Sequence, residues 1–318
     1  MQIGTSAKRV QDIAPNDLAV LAAITAPRRQ QLVSAGAAAT FTNDLFARLV
    51  SDIDEDAPIV AMGALATGTD VVRAAQLTEA IYGALGHNVD EYAAWIAAGA
   101  MVAGVDAARA ATLTNDVFAN LHHSIDSQSH LIALGALVTG TSALDAAKLA
   151  NAIRGSLRED MAETAPVVAV AAMLGKLDAA TAVTQLHDLY ADMRGGIRSA
   201  AHIVALGSFV AKTRPVDAAS FANRVYDEMD SSIDAYAPVV AMGAMTAGVD
   251  AVAGARLANT AHGQMRAAID DNAAWVAVAS MRSGASVTAA SNLANDLYRE
   301  LHPLLDEHAH VVVLGALS

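Results

Sequence analysis

The side chains able to do chemistry in this sequence fall into recurring positions. His122, His123 and His130 flank one short stretch, and His302, His308 and His310 flank another. Clustered imidazoles could ligate a divalent metal. Their spacing matches no strong metal motif, however, and no helical HExxH is present. His130, His202 and His310 share a position with Pro58, Pro166 and Pro238, which marks the first turn of a helix rather than a ligand set. The acidic run Asp52, Asp54, Glu55 and Asp56 lacks the glycine and spaced ligands of a calcium loop and reads as solvated charge at a helix start. No cysteine is present, which removes thiolate metal sites, disulfides and cysteine nucleophiles. No GxSxG, phosphate loop or GxGxxG set appears. The expectation is a protein that is not an enzyme and holds neither metal nor cofactor.

Two further columns could bind a peptide. Asparagines stand at 43, 115, 151, 223, 259 and 295, with Glu79 and His187 as exceptions. Aromatic residues stand at Phe46, Tyr82, Phe118, Tyr190, Tyr226 and Tyr298, interrupted by Arg154 and His262. Mid-helix asparagine is mildly unfavourable unless its amide is used. Bonding between neighbouring repeats and an aromatic packing ladder are the simpler roles.

All these columns share one period. Ala57-Pro58-Ile59-Val60-Ala61-Met62-Gly63-Ala64-Leu65 returns every 36 residues, at Ala93, Ser129, Ala165, Ala201, Ala237, Ala273 and Ala309. A fixed period of this size marks a solenoid. Each unit reads as two helices. Helix A covers residues 57–67 in the first clear unit. Gly68 then supplies a left-handed C-cap, as do Gly104, Gly140, Gly248 and Gly284. Asp70 caps the start of helix B, which is expected over residues 70–86. Asp106, Ser142, Asp178, Asp250 and Ser286 share that position, while Arg214 breaks it ahead of Pro215. Asp54, Asp90, Asp126, Asp234, Asp270 and Asp306 precede helix A, where an acid suits the positive end of the helix dipole.

Pro15 to Thr25 reads as a degenerate helix A, followed by Pro27 to Gln31 and a helix B from Ser34 to Val50. The chain stops inside a last helix A. The expected fold is an all-α solenoid, a superhelix of antiparallel hairpins with a 36-residue repeat: eight hairpins plus one terminal helix. Residues 1–14 are expected as a tail and residues 15–318 as one repeat domain. The unit is similar in general design to tetratricopeptide and Sel1-like hairpins. The Trp, Gly, Tyr and Pro signature of tetratricopeptides is absent, so no family follows.

Apolar residues make up 54% of the 318-residue chain and charged residues 17%, with only four lysines. The formal charge of −13 disfavours sequence-independent binding to nucleic acid. Met1 to Gln11 has no apolar run of a signal peptide, and Ala93 to Val105 is too short to span a bilayer. A cytoplasmic protein is expected.

Helix A is apolar nearly all round and must be covered on every side. The opposite wall of a tight superhelix, another subunit or an apolar ligand could cover it. Met62, Leu134, Leu206, Met242, Val312 and Leu314 are therefore candidate partner or ligand residues. Val311 to Leu317, with no helix B after it, is expected to join another subunit. The function expected is a scaffold or adaptor that binds protein, itself included, in a homo-oligomer. The alternative is a protein that sequesters a lipid or other apolar small molecule in the superhelix interior.

Overall fold

A computed structural model describes residues 13–25 and 33–318. The tail expected over residues 1–14 lies almost wholly outside the described residues, as does Pro27 to Gln31. The described chain is all-helical, with no strand.

Among the described residues seventeen α-helices follow in order. The eight inner ones are α3 (Ala57–Thr67), α5 (Ala93–Ala103), α7 (Ser129–Thr139), α9 (Ala165–Gly175), α11 (Ala201–Ala211), α13 (Ala237–Ala247), α15 (Ala273–Ser283) and α17 (Ala309–Ala316). Their starts keep the 36-residue step. The outer ones are α2 (Ala35–Phe46), α4 (Val71–Tyr82), α6 (Ala107–Asn120), α8 (Ala143–Ser156), α10 (Ala179–Asp192), α12 (Pro215–Glu228), α14 (Ala251–Gln264) and α16 (Val287–Glu300). The remaining helix, α1, covers Pro15–Ile24.

The local signals act as expected. The Asp70 carboxylate accepts from the Val72 and Arg73 amides at 3.1 and 3.0 Å, and Asp106, Ser142, Asp178, Asp250 and Ser286 cap their helices likewise. Gly68 and its four sister glycines have φ between 68° and 73°. The same left-handed position is filled by Lys176 and Lys212 in the other two repeats, φ 58° and 56°, where a side chain carries a steric cost. The first outer helix of the regular pattern stops at Tyr82 rather than at residue 86.

The solenoid closes into a ring. Inner helices pack side by side from α3 to α17, and α17 then packs on α3. On the outside α16 packs on α2 in the same way. The asparagine column records the closure. Asn115, Asn151, Asn223, Asn259 and Asn295 each reach back to the preceding repeat, accepting from an amide 29 residues earlier and donating to a carbonyl 31 residues earlier. Asn43 has no preceding repeat. It makes the same pair with the His302 amide and the Glu300 carbonyl, 259 and 257 residues away. Those separations complement 29 and 31 within eight 36-residue periods.

Mid-helix glycines set the wall-to-wall distance. A Cβ on Gly63 would lie 2.6 Å from the Ala98 Cα, and one on Gly207 would lie 2.7 Å from the Met242 Cα. At the seam a Cβ on Gly315 would lie 2.5 Å from the Met62 Cα. Glycine in a helix costs about 1 kcal/mol relative to alanine. Here it lets the inner helices approach closely enough for α17 to meet α3.

This closure corrects the expected open end. Val311, Val312, Val313, Leu314 and Leu317 are buried within the chain itself. Covering a Val or Leu contributes about 1.5–3 kcal/mol, and α3 and α16 supply that cover. No second subunit is required for it.

Candidate functional site

The interior of the ring is occupied by α1. The helix expected as a degenerate wall member instead lies in the lumen, packed on α5, α7, α9, α11 and α13. It runs parallel to the inner helices. Its first turn meets their first turns: Asn16 Oδ1 is 2.7 Å from His202 Nε2, and Asp17 Oδ2 is 3.3 Å from His130 Nε2. Its last turn meets the last turn of α15, where Arg282 Nη1 donates to the Ala22 carbonyl and to Thr25 Oγ1. Leu18, Ala19, Val20, Leu21, Ala22 and Ile24 are buried.

Arg282 interrupts an inner column otherwise held by the uncharged residues Ala66, Val102, Val138, Leu174, Val210, Thr246 and Ser318. Burial lowers its pKa to about 10, which leaves it charged at neutral pH. A cation at the carbonyl end of α1 opposes the negative end of that helix dipole. The residue was missed in the sequence because only α1, distant in the chain, gives its charge a purpose. Its charge in an otherwise uncharged column was the available signal.

The six candidate residues do not form a surface. Met62, Leu134, Leu206, Val312 and Leu314 are at most 1% exposed, and Met242 is 2% exposed. They lie in the inner wall, where Leu134, Met242 and Met62 fill the space beside Gly99, Gly207 and Gly315 of the adjacent helix. The apolar all-round character of helix A is satisfied by neighbours in the wall and by α1. An apolar small molecule inside the ring would have to take the place of α1.

The aromatic column packs between repeats. Tyr82 donates to Asp52 Oδ2 at 3.0 Å, and Phe46 stacks on His302 across the seam with ring centroids 4.5 Å apart. The histidines serve the fold too. His130 stacks on Tyr92 at 3.8 Å, and His310 is buried with Nδ1 3.2 Å from the Glu307 carbonyl. Burial, then His308, lowers the pKa of His310 to about 3. Burial lowers that of His202 to about 4. No group of three or more metal-ligating side chains occurs among the described residues. Among them no single helix is long and apolar enough to cross a membrane.

The two faces of the ring are charged unevenly, and the recurring acids of one of them are half-buried. On the face where the inner helices begin, short 3₁₀ turns start at Asp54, Asp90, Asp126, Asp234, Asp270 and Asp306. Glu55, Asp56, Glu91, Asp271 and Glu307 add to them. None of the α-helices that follow has a side-chain N-cap bond, so these acids are not consumed in capping. Asp56 shows the repulsion that results. Burial, then Glu55, Asp54 and Glu91, pushes its pKa up to about 7. On the opposite face Asp70, Asp106, Asp178 and Asp250 are bonded to helix amides, and Lys176, Lys212 and Arg214 stand among them.

Comparison of the chain with protein-family models, with curated proteins and with solved structures gave no match.

Proposed function

We propose that the protein is a non-enzymatic α-ring scaffold whose acidic face binds a basic segment of a protein partner. The observation behind this reading is the segregation of charge. Acids that cap no helix ring one face, while the acids of the other face are bonded to backbone amides and mixed with lysines. Burial is the main cause of the raised Asp56 pKa, and the neighbouring acids add to it. That added repulsion is the kind a cationic partner relieves, because an opposite charge within a few ångströms favours the ionised carboxylate. The apolar inner helices, expected to carry self-association, are covered by the ring wall and by α1. Recognition therefore falls to the rim.

The test uses a labelled lysine-rich peptide and two charge-matched variants. One carries Asp54→Asn, Asp90→Asn and Asp126→Asn on the rim. The other carries Asp44→Asn, Asp116→Asn and Asp188→Asn on exposed outer-helix positions. The rim variant should bind at least about tenfold more weakly than the outer variant, a difference of about 1.4 kcal/mol. Equal loss in both would show that net charge alone governs binding and would overturn the assignment.

A further inference from the structure

The acidic rim is broken in one sector. Arg198 stands where six repeats carry aspartate, and Gly195 and Gly196 stand where the other repeats carry no glycine pair. Two repeat rules fail beside it. The 3₁₀ segment before α9 runs from Glu159 to Thr164, twice the usual three residues. His187 replaces the ladder asparagine, and its buried Nε2 has no hydrogen-bond partner. Arg198, Gly195 and the long 3₁₀ segment border a cavity of about 430 Å³, lined by Asp160, Thr164, Tyr190, Arg198, Ser199 and His202, among others.

Two charged side chains line this cavity, Asp160 and Arg198, and the Asp160 carboxylate is already paired. Arg158 is held by Asp160 at 2.9 Å and Arg194 by Asp227 at 2.7 Å. Among the described residues Arg198 has no carboxylate partner. Its Nε and Nη2 donate to the Met193 carbonyl at 3.1 and 2.9 Å. The guanidinium carbons of Arg158 and Arg198 sit 5.1 and 5.4 Å from the centre of the Tyr190 ring. Beyond Arg198, α11 begins without a side-chain cap, as its sister helices do, and the Ala201 amide donates to the Arg198 carbonyl. In six sister repeats the chain places its own carboxylate at this point of the helix field. Here it places a guanidinium, so this helix start lacks the aspartate that faces the positive end of the dipole in its sisters. Local breaks in an otherwise consistent pattern are where function is expected, and the cavity is of small-ligand size.

We infer that this cavity binds a small organic anion through its phosphate or carboxylate group, with Arg198 as the principal anchor and Tyr190 as the wall against which the rest of the ligand lies. Thermal unfolding measured with increasing inorganic phosphate or succinate, at constant ionic strength set by sodium chloride, tests this. The wild-type midpoint should rise saturably with at least one of the two, and which one does so identifies the anionic group. Arg198→Asp restores the residue of the sister repeats. It should leave the midpoint in chloride unchanged or higher and weaken the response at least about tenfold. Should that variant be unstable, Arg198→Gln removes the charge alone and should give the same loss. No saturable rise with either anion in the wild type, or an undiminished rise in a folded Arg198 variant, would overturn the inference.

Discussion

Lys212 holds a backbone conformation that five repeats give to glycine. A left-handed residue with a Cβ costs about 1–2 kcal/mol, and glycine returns part of that gain through the entropy of its unfolded chain. Lys212→Gly should therefore stabilise the ring by about 0.5–1 kcal/mol, read as a higher urea midpoint with unchanged slope. A lower midpoint would mean the lysine makes a compensating contact. The buried histidines set the acid limb of stability. His202 and His310 have folded pKa values of about 4 and about 3, below the 6.5 of a free imidazole. The unfolded chain then binds more protons below pH 6.5, so stability is full above that pH and falls as pH drops toward 4. Asp56 acts in the opposite sense. Its pKa of about 7 makes the ionised form costly, so its contribution worsens as pH rises from 4 to 7. His202→Gln with His310→Gln should flatten the loss between pH 6.5 and 4. Asp56→Asn should raise the urea midpoint at pH 7.5 and leave it nearly unchanged at pH 4. At this scale the repeat columns were legible, because capping and ladder bonds are short-range. The departures from the columns, Arg282 and Arg198, were not, because each derives its role from a distant segment or a cavity.

At the scale of elements the sequence placed α3 at residues 57–67, where it is observed, and set the phase of every hairpin after it. It also counted seventeen helices. The position of α1 was not legible. Its residues resemble a weak inner helix, and periodicity describes neighbours along the chain rather than what fills the centre of a closed stack. The inner wall at α3 is completed by α17, so α1 is free to serve as the core of the lumen. Its polar contacts lie at its two ends, with Asn16 and Asp17 at one and Ala22 and Thr25 at the other. Arg282, the charged member of its inner column, reaches the second of these ends. Arg282→Met keeps the length of the side chain and removes the charge that faces the α1 carbonyls. The amides of α1 should then exchange with solvent at least about tenfold faster, a loss of about 1.4 kcal/mol of local protection, while those of α3 and α17 are unchanged. Faster exchange throughout the ring would mean that α1 and the wall form a single cooperative unit.

The whole molecule differs from an open solenoid in one respect that determines the rest. Closure removes both apolar ends, so neither a polar capping repeat nor a second copy is needed to cover them. It also converts the helix-start acids of successive repeats into a ring of charge on one face, which is the surface assigned to a basic partner. Each repeat contributes a small rotation, and whether eight of them complete a turn depends on helix spacing set by glycines facing Ala98, Met242 and Met62. That sum is a property of the assembled stack and is invisible in any one repeat. The most direct measurement exploits the absence of cysteine. Phe46 and His302 stack across the seam, 4.5 Å apart, though they belong to opposite ends of the repeat array. Phe46→Cys with His302→Cys, treated with a short bismaleimide at micromolar concentration, should give an intramolecular crosslink in high yield in a species that migrates as one chain. Crosslinks found only between chains, or none, would mean that the array stays open and that the ring does not form.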